Sequence, residues 1–170
     1  HYGRSSFIGT VERTFQKDFI DNEIFLLYHF IMSEITWKSR WSNEQIRAML
    51  IEQFGSFERR DTGIERTKLK EVERAARAPH AVIISGIRRA GKSTLLAQMA
   101  HRIGFDNFYY INFEDDRFLG FRTEDFNDLY QMLVEIFGER KIFFVDEVQN
   151  ILGWEHFVRR FMDLGFKFYI

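Results

Sequence analysis

A run of apolar, mostly β-branched residues, Ala81-Val82-Ile83-Ile84, leads into Ser85-Gly86-Ile87-Arg88-Arg89-Ala90-Gly91-Lys92-Ser93-Thr94 and then into a helical pattern that begins Leu95-Leu96. This G-x-x-x-x-G-K-S order constrains the fold more than any other stretch of the chain. A strand, a glycine-bounded loop and a helix in that order build an anion cradle. Glycines at 86 and 91 are expected to take backbone angles closed to other residues, so that successive N–H groups turn toward one phosphate. The helix then points its positive end at the same place. Lys92 reaches for β- and γ-phosphates, and Ser93 offers a hydroxyl to magnesium. The bland alternative is a glycine-rich turn with a solvated lysine, but strand before and helix after weigh against it. The expected nucleotide loop is therefore Gly86, Ile87, Arg88, Arg89, Ala90, Gly91, Lys92, Ser93 and Thr94.

A second motif, Lys141-Ile142-Phe143-Phe144-Val145-Asp146-Glu147, is an apolar strand that ends in two acids. A buried strand carries Asp146 to the edge of the sheet, where ligands of open α/β sheets collect. There it is suited to holding magnesium through water, because magnesium keeps much of its hydration shell. Glu147, next to it, is placed to orient or deprotonate a water for attack on the γ-phosphate. Alone, such a strand means only a polar turn. Paired with the phosphate loop it predicts ATP binding and magnesium-dependent hydrolysis, with Lys92 and Glu147 as the catalytic pair and Ser93 and Asp146 on the metal.

The order of elements predicts the architecture. Strands expected at 81–85, 107–112, 141–145 and from 166 alternate with helices at 92–102, 123–137 and 154–163. This is the pattern of a parallel sheet sandwiched by helices, an α/β three-layer fold of the P-loop NTPase type. The fourth strand is expected to insert between the two motif strands, giving the order 1-4-3-2. No turn residue follows Phe166-Lys167-Phe168-Tyr169-Ile170, so the native polypeptide is expected to continue beyond that point.

Ahead of this core, residues 1–56 are expected to form a helical region distinct from a core at 57–170. Asp21-Asn22-Glu23 is suited to cap a helix with Ile24, Leu27, Tyr28, Ile31 and Ile35 at helical spacing. Ser42-Asn43-Glu44-Gln45 reads as a capping box for a helix carrying Ile46, Met49, Leu50 and Phe54, with Gly55 as its stop. A charged helix over 64–77, with Leu69, Val72 and Ala76 inward, is expected to end before Pro79. The first region reads as a subdomain packed on the core, or as a partner-binding or nucleic-acid-binding module, and the absence of a basic stripe along its helices favours the first.

Composition limits the alternatives. Twenty-four basic residues offset 25 acidic ones, for a net charge of −1, which gives no overall pull toward nucleic acid. There are no cysteines, which removes disulfides and thiolate metal sites and agrees with a reducing cytoplasm. The longest apolar run, Ile24 to Met32, is too short to span a bilayer. The five histidines lack metal-ligand spacing. Twenty phenylalanines imply either a large core or an exposed docking surface.

From Ala81 to Ile170 the chain resembles the prokaryotic, archaeal and bacterial, AAA-type ATPases that carry a C-terminal domain of unknown function. The likeness rests on Ser85 to Leu96, Tyr110-Ile111-Asn112-Phe113-Glu114-Asp115, Phe143 to Gln149, and Gly153-Trp154-Glu155. It leaves the N-terminal part uncovered. It implies ATP hydrolysis that drives attached domains, a protein partner or self-association. It also implies a sensor residue and an arginine finger beyond residue 170, so that these residues alone hydrolyse ATP weakly.

Smaller candidates carry two readings each. Arg88 and Arg89 are placed for phosphate or a neighbouring subunit, or are simply solvated. Glu114, Asp115 and Asp116 are placed to shape the magnesium shell or gate Glu147, or form a polar turn. Gln149 is a relay or a plain loop residue. Arg159 and Arg160 lie opposite the apolar face of their helix and read as solvated rather than as an arginine finger. Arg59 and Arg60 fall near the adenine by position alone. The competing functions are a nucleotide-gated binding module with little turnover and a P-loop small-molecule kinase; Glu147 argues against the kinase.

Overall fold

The sheet is built from three short, aromatic-rich segments. The strands are β1 (Phe108–Asn112), β2 (Ile142–Asp146) and β3 (Lys167–Tyr169), all parallel, in the order β1-β2-β3. In this computed structural model the described residues are 37–87 and 90–170. The helix expected within 21–35 lies outside them, as do Arg88 and Arg89.

Register is set by burial on both faces. Phe108 pairs with Ile142 and Asn112 with Asp146; Ile142 pairs with Lys167 and Phe144 with Tyr169. Alternation then sends Tyr109, Ile111, Phe143, Val145 and Phe168 into one core and Phe108, Tyr110, Phe144 and Tyr169 into the other. A strand buried on both sides has no polar face, which is why these segments read as continuous apolar runs. Facing rings lock the register further. Phe143 stacks on Phe168 at 5.0 Å and Phe144 on Tyr169 at 4.6 Å, each pair within a few degrees of parallel. The phenylalanines of the described region thus go largely into core, including Phe57, Phe113, Phe118, Phe121, Phe126, Phe157, Phe161 and Phe166.

The expected strand at 81–85 is reduced to a bridge of Val82 with Tyr169. Its backbone nonetheless joins β3: Val82 donates to Phe168 O at 2.8 Å, and Ile170 donates to Val82 O at 2.9 Å. Ile84 donates to Ile170 O at 2.6 Å. Counting it as the first segment, the sheet runs in the expected 1-4-3-2 order.

Helices cover both faces. They are α1 (Trp37–Arg40), α2 (Asn43–Glu58), α3 (Leu69–Ala76), α4 (Lys92–Ile103), α5 (Phe126–Phe137) and α6 (Trp154–Asp163). α5 and α6 close one face through Phe126, Leu129, Leu133, Phe157 and Phe161. α3 and α4 close the other through Leu69, Val72, Leu96, Met99 and Ala100. This mixed fold with a parallel sheet is compatible with the expected α/β class.

Three boundaries differ from the sequence reading. The capping box at Ser42 and Gln45 forms as expected, but α2 runs through Gly55 to Glu58. Burial of Phe57, stacked 3.8 Å from Tyr110, outweighs the ~1 kcal/mol a mid-helix glycine costs. α2 therefore crosses the expected 56/57 boundary, and it lies within the compact unit Trp37–Ile170. α3 starts only at Leu69, because the Gln98 side chain takes the carbonyls of Thr62 and Ile64 and the N–H of Arg66, which a helix would have used. The helix expected from Thr123 opens with a 3-10 turn, Thr123–Asp125, and becomes α-helical at Phe126. Among the described residues no helix is long and apolar enough to cross a membrane.

Candidate functional site

The loop after Val82 and the end of β2 meet at the C-terminal edge of the sheet. Between them lies a cavity of about 250 Å³, lined by Gly86, Lys92, Asp146, Glu147, Gln149 and Trp154 among others. The structure thus brings together the two motifs, which lie far apart in the chain.

Gly91 caps α4 in the left-handed region, with φ 84, a conformation glycine adopts without steric cost. Leu95 donates to its carbonyl at 3.0 Å, so the helix starts immediately. Lys92, Ser93 and Thr94 occupy the first turn and are half-buried. Gly86 behaves differently from the expectation. It is not left-handed, and a Cβ there would make only ordinary contact with Ala90, at 3.6 Å. Its contribution is its carbonyl, which accepts from Lys92 Nζ at 3.1 Å. Ile87 is exposed, and Ala90 donates to its carbonyl to close the turn.

Asp146 ends β2 and is buried; its carbonyl accepts the Phe113 N–H at 3.0 Å. Glu147 follows at φ 55, the one non-glycine residue with positive φ among those described. This sharp turn lifts its side chain off the strand direction, and the Gln149 amide donates to Glu147 Oε2. Left-handed backbone at a bulky residue costs energy, and it concentrates where a site requires it. Tyr110, on the β1 strand beside β2, has its phenol pushed well up, first by burial and then by the negative charge of Asp146.

The acidic turn after β1 is a structural knot. Arg117 binds Asp115 through two side-chain bonds, 2.9 and 2.7 Å, and Gln53 Nε2 donates to Asp115 Oδ2 at 2.8 Å. Burial raises the Asp115 pKa, but the Arg117 and Gln53 bonds outweigh it and hold the carboxyl below its ordinary value. Asp115 is thereby committed to the turn. Gln53 also pairs with the edge of β1 that no described strand covers. Its Nε2 donates to Asn112 O at 3.2 Å, and Asn112 N donates to Gln53 Oε1 at 3.0 Å. Sequence reasoning missed Gln53; a glutamine amid the apolar positions of an amphipathic helix was the available signal. Arg159 and Arg160 lie exposed on α6 as expected, with Arg160 donating to Asn127 Oδ1. Arg59 and Arg60 are exposed, and the Arg60 guanidinium lies 5.9 Å from the Phe57 ring centre.

The family model of the AAA domain matches residues 78–170, more than half of the chain and the whole of this cavity. The chain belongs to the AAA domain family. It is 39% identical over 88 residues to an uncharacterized protein of Methanocaldococcus jannaschii, covering 52% of this chain and 20% of that protein. It is 35% identical over 82 residues to an uncharacterized protein of Haemophilus influenzae, covering 45% of this chain and 20% of that protein. The chain therefore spans about a fifth of the length of these relatives. No solved structure matches it significantly. As an AAA domain it is a nucleotide-binding, ATPase-type module.

Proposed function

We infer that this AAA domain binds ATP in the cavity between Gly86 and Asp146 and hydrolyses it, as a switch or motor for attached domains or a partner, in the cytoplasm. The observation that carries this reading is the convergence of Lys92, Asp146 and Glu147 on one cavity.

The chemistry follows from the residues. Lys92 leaves the Gly86 carbonyl for the β- and γ-phosphates, while loop N–H groups and the start of α4 receive the remaining charge. The oxygen donors present suit a hard cation, which Asp146, in the cavity lining, and Ser93, in the first turn of α4, would hold. When bound, magnesium neutralises charge on the phosphate oxygens. Glu147 takes the proton of the attacking water as that water adds to the γ-phosphorus and the bond to the β-γ bridging oxygen breaks, with ADP leaving. The fold in this reading is the P-loop NTPase sandwich.

The Gln149–Glu147 bond favours a second reading, a nucleotide-gated module with little turnover. This bond engages one of the two Glu147 carboxylate oxygens, Oε2, and so takes up part of the accepting capacity a water would need.

Two variants test the proposal. Lys92→Ala should weaken ATP binding by roughly 10–100-fold, the value of a charge-assisted contact. Glu147→Gln should bind ATP as the parent does and lose phosphate release. Normal turnover in Glu147→Gln refutes the role given to that residue. Unchanged binding in Lys92→Ala refutes the site.

A further inference from the structure

The segment before α3 is held on the phosphate-loop helix by one buried side chain. Gln98, on α4 and only 6% exposed, donates to Thr62 O at 2.9 Å and Ile64 O at 2.8 Å, and accepts from Arg66 N at 2.9 Å. A buried amide satisfied three times by one backbone segment fixes that segment's position. The Arg102–Glu65 ion pair, at 2.7 Å, adds a second tie between the same two elements.

This tether delivers the Arg66 side chain to the phosphate loop. A Cβ placed on Gly91 would stand 2.4 Å from an Arg66 guanidinium nitrogen and 2.9 Å from its Cζ. The guanidinium therefore occupies the space that Gly91 leaves open. Arg66 makes no ion pair with any described residue, whereas Lys68, Arg102 and Arg117 each have a carboxylate. A cation set beside the start of a helix, one residue from Lys92, adds positive potential where the helix already carries its own. Such an arrangement is electrostatically completed by an anion.

The geometry points to Arg66 as a second cationic contact for the nucleotide phosphates, held in place by Gln98. The inference rests on the nucleotide reading of the site. Its chemistry is that of a planar guanidinium, which forks onto phosphate oxygens. Gln98 is a positioning residue that acts only through the 62–66 segment.

The test is a titration of ADP and ATP at several salt concentrations against the parent chain, Arg66→Ala, Arg66→Lys, Gln98→Ala and the Arg66→Ala/Gln98→Ala pair. Arg66→Ala should bind both nucleotides about tenfold more weakly, with a shallower salt dependence, and should unfold in the absence of nucleotide at the parent's urea midpoint. Arg66→Lys should recover part of the affinity. Gln98→Ala should weaken binding in the parent background but add nothing once Arg66 is alanine. If the parent binds nucleotide and Arg66→Ala matches it in affinity and salt slope, this inference is overturned while the site stands. If the parent binds no nucleotide, the site reading itself falls, and this one with it.

Discussion

Gln53→Leu should cost this domain about 3 kcal/mol. The leucine keeps the volume of the side chain but removes its amide. Two neutral hydrogen bonds to Asn112 and one charge-assisted bond to Asp115 go with it. Neutral bonds are worth ~1 kcal/mol each and a bond to a charged group ~1.5–3. The raw sum is ~4 kcal/mol, and the half-buried state of Asn112 and Asp115 lowers it, since water recovers part of what is lost. For a unit of this size, 3 kcal/mol corresponds to a fall in melting temperature of about 6–12 °C. Urea unfolding followed by tryptophan fluorescence measures it, with an unchanged slope as the check that only stability moved. A loss below ~1 kcal/mol would refute the argument that Gln53 completes the edge of β1.

Other consequences are checked as directly. Asp115 has a depressed pKa, so its stabilisation is present above the ordinary aspartate range and is lost as pH falls through that range and then the lower folded value. Asp115→Asn should therefore be less stable at neutral pH yet lose less between pH ~5 and ~2, read as urea midpoint against pH. Glu147→Gly relieves the positive φ and should raise the melting temperature by the equivalent of ~1 kcal/mol while phosphate release disappears. A drop in stability instead would show that the Gln149 contact outweighs the backbone strain. Phe57→Ala removes the ring stacked on Tyr110 and should cost ~3–5 kcal/mol in the same unfolding assay.

The legible parts of this molecule were those written in local pattern. The Gly91 turn into α4, the acidic end of β2 and the span of α6 are visible because each is a contiguous run whose periodicity or residue types suffice. The strand order followed from the pairing of the two motifs. What stayed hidden depends on partners remote in the chain. α3 begins late because Gln98, more than thirty residues on, claims the backbone at Thr62 and Ile64. α2 overruns Gly55 because Phe57 finds a ring on β1. The left-handed turn at Glu147 has no propensity signal at all, since glutamate rarely adopts it.

The way the loop after Val82 hangs on the sheet has a consequence for biosynthesis. Among the described residues its leading segment pairs with β3, and the Lys167 ammonium also bonds the carbonyls of Ala78 and His80, the latter 87 residues earlier. While the chain emerges from the ribosome, the loop is translated long before β3 exists. β1 and β2 are made in between and are available to pair with each other before β3 is made. The loop after Val82 thus gains its bonds to the sheet only once β3 is made, so a nascent chain stalled before β3 carries the complete motif without the neighbour that seats it.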